Sequence, residues 1–436
     1  MTEREQYRQT LDYLYSQLPM YQRIGPAAFK KDLSNIIALC EALGQPHERF
    51  PSIHVAGTNG KGSVTHMLGA ALQAAGYRVG LYTSPHYRDF RERIKVDGRY
   101  VSRKYVIEFV SRHRQLFESV QPSFFEITVA MAFDYFARQG VDAAVIEVGL
   151  GGRLDSTNVI RPRLSVITNI SFDHMALLGD TLPLIAGEKA GIIKEGVPVV
   201  IGETHPETAP VFLEKARQSD ARIVFADQHF LAERRQASAM HTTYDVYRDG
   251  VLYLESLQLN AHGPYQARNL QSVLQALEWL PAPWEVPEEA LVRGLAGLRK
   301  LTRLLGRWQV LGEKPLILCD SAHNEAGMEL AMGELVQMPC RRLHIVVGTV
   351  NDKDPTYLLR HMPGHAVYYF ARPDIPRGLD ADVLMRKAAE QGLSGKAYSS
   401  VANALRAARR KATPEDLIYV GGSIFVVAEV VPAVRD

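Results

Sequence analysis

The segment from Ile53 to Ser63 constrains this chain more than any other. An apolar run, Ile53 to Ala56, is followed at once by Gly57, Thr58, Asn59, Gly60, Lys61, Gly62 and Ser63, and then by a helical stretch that ends before Gly76. A strand that turns through glycines into a helix aims successive backbone N–H groups and the positive helix end at one point, which suits a polyphosphate. In that context Lys61 is placed for the β- and γ-phosphates and Ser63 for a bound Mg2+. The match to G-x-x-x-x-G-K-[ST] is partial, because Val55 stands at the first glycine and Gly62 precedes the hydroxyl. A glycine-rich turn without a ligand is the bland alternative. Three glycines, a lysine and a hydroxyl between strand and helix favour nucleotide binding.

The rest of the chain repeats the strand-then-helix rhythm. Apolar runs at Ile53–Ala56, Arg78–Tyr82, Ala143–Val148, Leu164–Ile170, Val197–Ile201 and Arg222–Phe225 alternate with longer helical patterns, which implies a parallel sheet covered by helices on both faces. Tyr7, Leu11, Leu14 and Leu18, then Phe29, Leu33, Ile36 and Cys40, predict two packed helices ahead of it. The stretch Tyr244–Leu259 reads as antiparallel strands on the sheet edge, and Gln266–Leu280 as a helix. After Pro281, Pro283 and Pro287 a second series follows, with strands at Leu316–Cys319, Leu343–Val347, Val367–Phe370 and Leu417–Val420. The predicted fold is α/β: a P-loop-type parallel-sheet ATPase domain over 1–299, then a smaller Rossmann-like α/β domain over 300–436. The charged and glycine-rich segments all follow strands, so the active site is expected in the cleft between the domains.

Composition excludes several classes. With 50 basic and 48 acidic residues the net charge is +2, which gives no field for wrapping nucleic acid or coating an anionic membrane. The N-terminus is charged, and no apolar run reaches the ~18 residues of a membrane span. Cys40, Cys319 and Cys340 are sparse, odd in number and without metal spacing, as expected of core residues in a reducing compartment. These features predict a cytoplasmic protein acting on small molecules as a monomer.

Read with its flanks, Ile53 to Ser63 resembles the signature of the folylpolyglutamate synthase/dihydrofolate synthase family, a branch of the Mur ligase superfamily. Thr83-Ser84-Pro85-His86, Glu147 to Asn158, Ser171-Phe172-Asp173-His174 and Gly187 to Ile192 match further family motifs in order. Gln266 and Asn269, Gly306-Arg307-Trp308-Gln309, Asp320 to Asn324 and Asp352-Lys353-Asp354 continue the series, with Leu305 where the family often has proline. The resemblance implies a Mur-type central ATP-binding domain and a C-terminal glutamate-ligase domain. Its implied reaction is ATP-dependent addition of L-glutamate to dihydropteroate, to the terminal glutamate of a folate, or to both.

Roles follow from that resemblance where pattern alone leaves them open. Glu147 ends a strand and Ser84 and His174 follow others; by spacing His174 is a hydrogen-bonding loop residue, whereas the resemblance makes Ser63, Ser84, Glu147 and His174 ligands of Mg2+, two ions in all. Lys189, on a helix starting near Thr181 beside Glu188, reads by pattern as a solvated surface lysine. The resemblance makes it a carbamylated group at the second metal. Asn269, Arg307 and Asp320 read either as a helix-surface amide, a carboxylate-paired linker residue and a helix cap near Glu325, or as contacts to adenine, phosphate and ribose. Lys61, Lys189 and His323 are the expected catalytic residues. Phe124, Phe125, Leu154, Asp155 and Arg23–Pro26 are candidates for the pterin side.

The nearest rival is a Mur-type ligase acting on a UDP-linked cell-wall precursor. Only about 50 residues precede the phosphate loop, too few for the separate UDP-binding domain expected of such an enzyme. A nucleotide switch would not need the second α/β domain. Gly149-Leu150-Gly151-Gly152 precedes no long helix, so it is no dinucleotide fingerprint.

Overall fold

The computed structural model describes residues 1–16, 32–238, 241–351 and 354–433. The expected Arg23–Pro26 lining, the motif residues Asp352 and Lys353, and the Leu18 and Phe29 helix positions lie outside the described residues.

The first sheet contains β1 (Ser52–Ala56), β2 (Val79–Tyr82), β3 (Ile94–Val96), β4 (Arg99–Tyr100), β5 (Ala143–Glu147), β6 (Leu164–Ile167), β7 (Val199–Ile201) and β8 (Ile223–Phe225). Their order is β4-β3-β2-β5-β1-β6-β7-β8. β2, β5, β1, β6, β7 and β8 run parallel, as the unbroken apolar runs imply. The two-residue periodicity of β5 sends Ala143 and Val145 to the face that carries the Lys61–Ala74, Gln266–Glu278 and Glu288–Ala296 helices, and Ala144 and Ile146 to the Phe124–Gln139 helix. β1 sits at the middle, between β5 and β6, and the carboxyl ends of these three strands form the crevice where a ligand is expected.

Two elements depart from expectation. The antiparallel β3 and β4 hairpin extends one edge. Its turn is Asp97-Gly98, both at positive φ, a hairpin signal present in the sequence. The stretch expected on the sheet edge instead forms a separate three-stranded antiparallel sheet of β9 (Phe230–Ala237), β10 (Thr242–Arg248) and β11 (Val251–Leu259). A 3-10 turn at Ala226–Gln228 redirects the chain after β8. Tyr244, Val246, Leu254 and Leu257 then bury against the core that holds the Gln266–Glu278 helix rather than pairing with β8.

The N-terminal helices Glu3–Ser16 and Ser34–Ala42 do not chiefly pack on each other as expected. The first rests on Arg103–Arg112 and the second on Phe124–Gln139.

The last sheet is built from β12 (Gln309–Glu313), β13 (Leu316–Cys319), β14 (Leu343–Val347), β15 (Val367–Ala371), β16 (Gly395–Tyr398) and β17 (Leu417–Gly421) in the order β12-β13-β17-β14-β15-β16. It is parallel except at β12. Cys40 and Cys319 are buried as expected, but Cys340 is exposed; it lies in the short connection before β14, outside the packed layers. No helix among the described residues is long and apolar enough to cross a membrane.

Candidate active site

The phosphate loop is held in shape by the segment after β6. Thr58 N–H donates to the Asn169 carbonyl at 2.9 Å and Asn59 N–H to Asn169 Oδ1 at 3.0 Å. Thr168 Oγ1 donates to the Asn59 carbonyl at 2.5 Å, and the Asn59 amide donates to Ser171 Oγ at 3.1 Å. Gly57 is required here. Its φ is +142°, and an added Cβ would stand 1.8 Å from Thr168 Oγ1. Gly60, at φ +85°, opens the Lys61–Ala74 helix. Lys61 Nζ folds back onto its own loop, donating to the carbonyls of Gly57 at 3.0 Å and Thr58 at 3.1 Å.

The β1 and β5 register sets Val55 against Glu147, which brings the Glu147 carboxylate to the first turn of the loop helix. An added Cβ on Gly62 would lie 3.6 Å from Glu147 Oε1. Glu147 Oε2 accepts from Ser84 N–H at 3.0 Å, and burial raises its pKa despite the nearby Lys61 charge. Ser63 Oγ is buried and has no hydrogen-bond partner. A buried hydroxyl without a partner costs free energy, so an orphan hydroxyl and an adjacent carboxylate fit a Mg2+ ion, which prefers oxygen ligands. Among the described residues no three His, Cys, Asp or Glu side chains form a metal cluster. His174 sits at φ +52° and lines the same cavity as Ser63, Ser84 and Glu147.

The surface reading of Lys189 fails. It lies on the Leu182–Ala190 helix capped by Thr181, but it is 3% exposed and Nζ donates to the Gly57 carbonyl at 3.0 Å. Gly57 thus accepts from Lys61 and Lys189 together. Burial, with the Lys61 charge beside it, lowers the Lys189 amine to about 7. Glu188 points away and pairs with Arg153 at 2.7 Å.

Across the cleft, Asp320 is fixed by three donors: Tyr265 OH at 2.5 Å, Trp308 N–H at 2.8 Å and Ala322 N–H at 2.8 Å. It is not a helix cap. That position belongs to Asn324, whose Oδ1 accepts from Gly327 N–H at 2.9 Å at the start of Glu325–Leu335. Arg307 donates to Tyr87 OH at 2.8 Å, a phenol rather than the carboxylate partner of the linker reading. His323 Nε2 lies 3.3 Å from Asp173 Oδ2. Asn269 is buried, not on the helix surface; its amide donates to Gln266 Oε1 at 3.0 Å, and its Oδ1 would stand 2.2 Å from a Cβ on Gly60.

Apart from Arg23–Pro26, which lie outside the described residues, the predicted site residues line one cavity of about 550 Å³ between the first and last sheets, including Phe124, Leu154 and Asp155. The Asp155 carboxylate is engaged by its own loop, accepting from Leu150 N–H at 2.8 Å and Thr157 N–H at 3.0 Å; it shapes the wall. Phe124 is almost fully buried beneath the Arg93 guanidinium, 5.3 Å from its ring. Sequence reasoning quoted Asp173 and Asn324 within motifs but gave them no role, and it missed Tyr87, Tyr265 and Asn169. These act through hydrogen bonds between residues far apart in the sequence, which no local pattern encodes.

Residues 55–276 match the Mur ligase middle domain and residues 306–424 the Mur ligase glutamate ligase domain. A probable bifunctional folylpolyglutamate synthase/dihydropteroate synthase of Haloferax volcanii is 33% identical over 97% of this chain and 50% of its own, so this chain spans half the length of that relative. A dihydrofolate synthase/folylpolyglutamate synthase of Bacillus subtilis is 34% identical over 92% of this chain and 94% of its own. The solved Escherichia coli FolC in complex with DHPP and ADP matches with a TM-score of 0.83 at 30% identity, over 97% of this chain and 96% of that one. A phosphate loop facing a glutamate ligase domain across one cleft defines an ATP-dependent ligase. Within that class, the chain belongs to the folylpolyglutamate synthase/dihydrofolate synthase family.

Proposed function

We propose that the enzyme transfers the γ-phosphoryl group of ATP to the carboxylate of dihydropteroate, of a folate's terminal glutamate, or of both, and joins the acyl phosphate to L-glutamate. Hydroxide is a poor leaving group and phosphate a good one, so activation makes amide formation possible. The observation that carries this reading is the convergence of the phosphate loop, Glu147 and the orphan Ser63 hydroxyl opposite Arg307, Asp320 and His323 in one cavity.

Lys61 and the loop amides of residues 57–63 would cradle the terminal phosphates, acting by position and charge rather than by covalent chemistry. Asn269 is assigned to the adenine, Arg307 to a phosphate, Asp320 to the ribose and His323 to the γ-phosphate side. Phe124, Leu154 and Asp155 are assigned to the wall that receives the pterin. Ser63, Ser84, Glu147, His174 and Lys189 would hold two Mg2+ ions, which when bound supply charge neutralisation at those phosphates. An amine titrating near 7 is substantially neutral at physiological pH. Such an amine can add to CO2, forming an N–C bond and losing a proton, which supports carbamylation of Lys189. The amine of glutamate then attacks the acyl phosphate and phosphate departs, with the closed cleft excluding water.

The two domain matches fall on either side of Lys300, and we divide the chain there into units of 1–299 and 300–436. We assign the enzyme to the cytoplasm as a monomer, on its sparse cysteines and balanced charge. The UDP-linked alternative is disfavoured by the names of the relatives. Purified protein should release ADP from ATP and glutamate only when dihydropteroate or tetrahydrofolate is added. Turnover with a UDP-muramyl acceptor and with neither pterin would refute the reading.

A further inference from the structure

Asn324 occupies a position that neither the loop motif nor the ligase chemistry explains. It is 3% exposed and lies on the last sheet's side of the cleft. Its Oδ1 caps the Glu325–Leu335 helix, while its Nδ2 crosses the cleft to donate to Asn59 Oδ1 at 2.9 Å and Asp173 Oδ2 at 3.3 Å. The Asn59 amide answers at 3.4 Å to Asn324 Oδ1. One side chain therefore fixes the start of a helix beyond the cleft and touches the middle of the phosphate loop within it.

We propose that Asn324 is a positioning residue that latches the glutamate-ligase side onto the phosphate loop, so that Arg307, Asp320 and His323 face the nucleotide as one unit. The chemistry fits an amide. The cap uses an acceptor and Asp173 accepts from a donor; a carboxamide presents the two on separate atoms, with a reach that a serine or threonine hydroxyl lacks. Asp173 adds selectivity, because its carboxylate also faces His323 Nε2 at 3.3 Å and lies in the field of Lys61. A latch of this kind raises the fraction of protein already in the closed arrangement. Losing it weakens apparent ATP affinity in proportion to that fraction, while saturating ATP can still draw the cleft shut.

The test separates the latch from the cap. Aspartate and serine both cap helices well, so Asn324→Asp and Asn324→Ser should keep the helix start and fold, with melting temperature lowered only by the loss of the cross-cleft contacts. Asn324→Asp places a carboxylate against Asp173 and removes the donor; Asn324→Ser removes the reach. Both should raise KM for Mg-ATP about tenfold, with kcat changed less than threefold. Calorimetry with a non-hydrolysable ATP analogue should show the same loss of affinity without turnover. Adding Asp173→Asn to Asn324→Asp restores a donor–acceptor pair and should recover most of the loss. A residue that only caps the helix would leave both melting temperature and KM unmoved in these two variants. The proposal is overturned if KM and analogue affinity stay within twofold of wild type in both single variants, or if the double variant is no better than Asn324→Asp.

Discussion

Ser63→Ala separates stability from function at one atom. The Ser63 side chain is 1% exposed and its hydroxyl has no protein hydrogen-bond partner among the described residues, so folding offers it no protein group in exchange for bulk water. Removing an unsatisfied buried hydroxyl recovers about 1–3 kcal/mol of desolvation. Alanine also exceeds serine in helix propensity by about 0.5 kcal/mol, and residue 63 lies inside the Lys61–Ala74 helix. Against this stands the small void left by one oxygen, worth about 1 kcal/mol at most. The net is a gain of about 1 kcal/mol in the ligand-free protein, read as a higher urea midpoint for the transition that includes the first sheet. Turnover should move the other way, falling at least a hundredfold at fixed Mg2+, if the hydroxyl holds the ion as proposed. A destabilised variant, or one turning over within twofold of wild type, would refute the assignment of an orphan oxygen to the metal.

Lys189→Met should stabilise the ligand-free protein in CO2-depleted buffer while abolishing turnover. Burial depresses the folded pKa from 10.5 to about 7, so the wild-type protein carries a penalty that is complete below pH 7 and vanishes as pH rises toward 10.5. The advantage of methionine is thus largest near pH 7 and shrinks by pH 10, and a pH-independent difference in denaturation midpoint would contradict the buried-amine account. Gly57→Ala should cost about 2–3 kcal/mol, because φ +142° is hostile to an L side chain and Thr168 Oγ1 blocks the Cβ. Thermal melting checks this, and an unchanged midpoint would show that the loop relaxes freely.

Much of this architecture was readable because parallel strands buried on both faces leave unbroken apolar runs. Ile53–Ala56 and Ala143–Glu147 are both fully buried, and each hands over directly to a functional loop. The site was readable for the same reason, since chemistry at the carboxyl ends of strands stays adjacent in sequence to the strands. The second antiparallel sheet was misplaced because alternation reveals that a strand has one buried face, not which layer covers it; Tyr244 and Val246 bury under a helix that comes later in the chain. Lys189 shows the limit more sharply. Its neighbours Gly187 and Glu188 are polar and small, as on any outer helix, and only the tertiary approach of Gly57 makes its amine interior. The resemblance implied a role that periodicity opposed, and the geometry shows that the amine is interior.

The Gly57 carbonyl, shared by the amines of Lys61 and Lys189, bears on how a nucleotide bound as proposed would be acquired and released. An empty phosphate site with a bare lysine would seize any passing anion. Here the loop's own carbonyls keep the Lys61 charge occupied, so a triphosphate bound as proposed would trade one set of charge-assisted contacts for another. The gain is a difference rather than a full bond strength. Such an exchange keeps the spent nucleotide from becoming a trap, because the backbone stands ready to take its place.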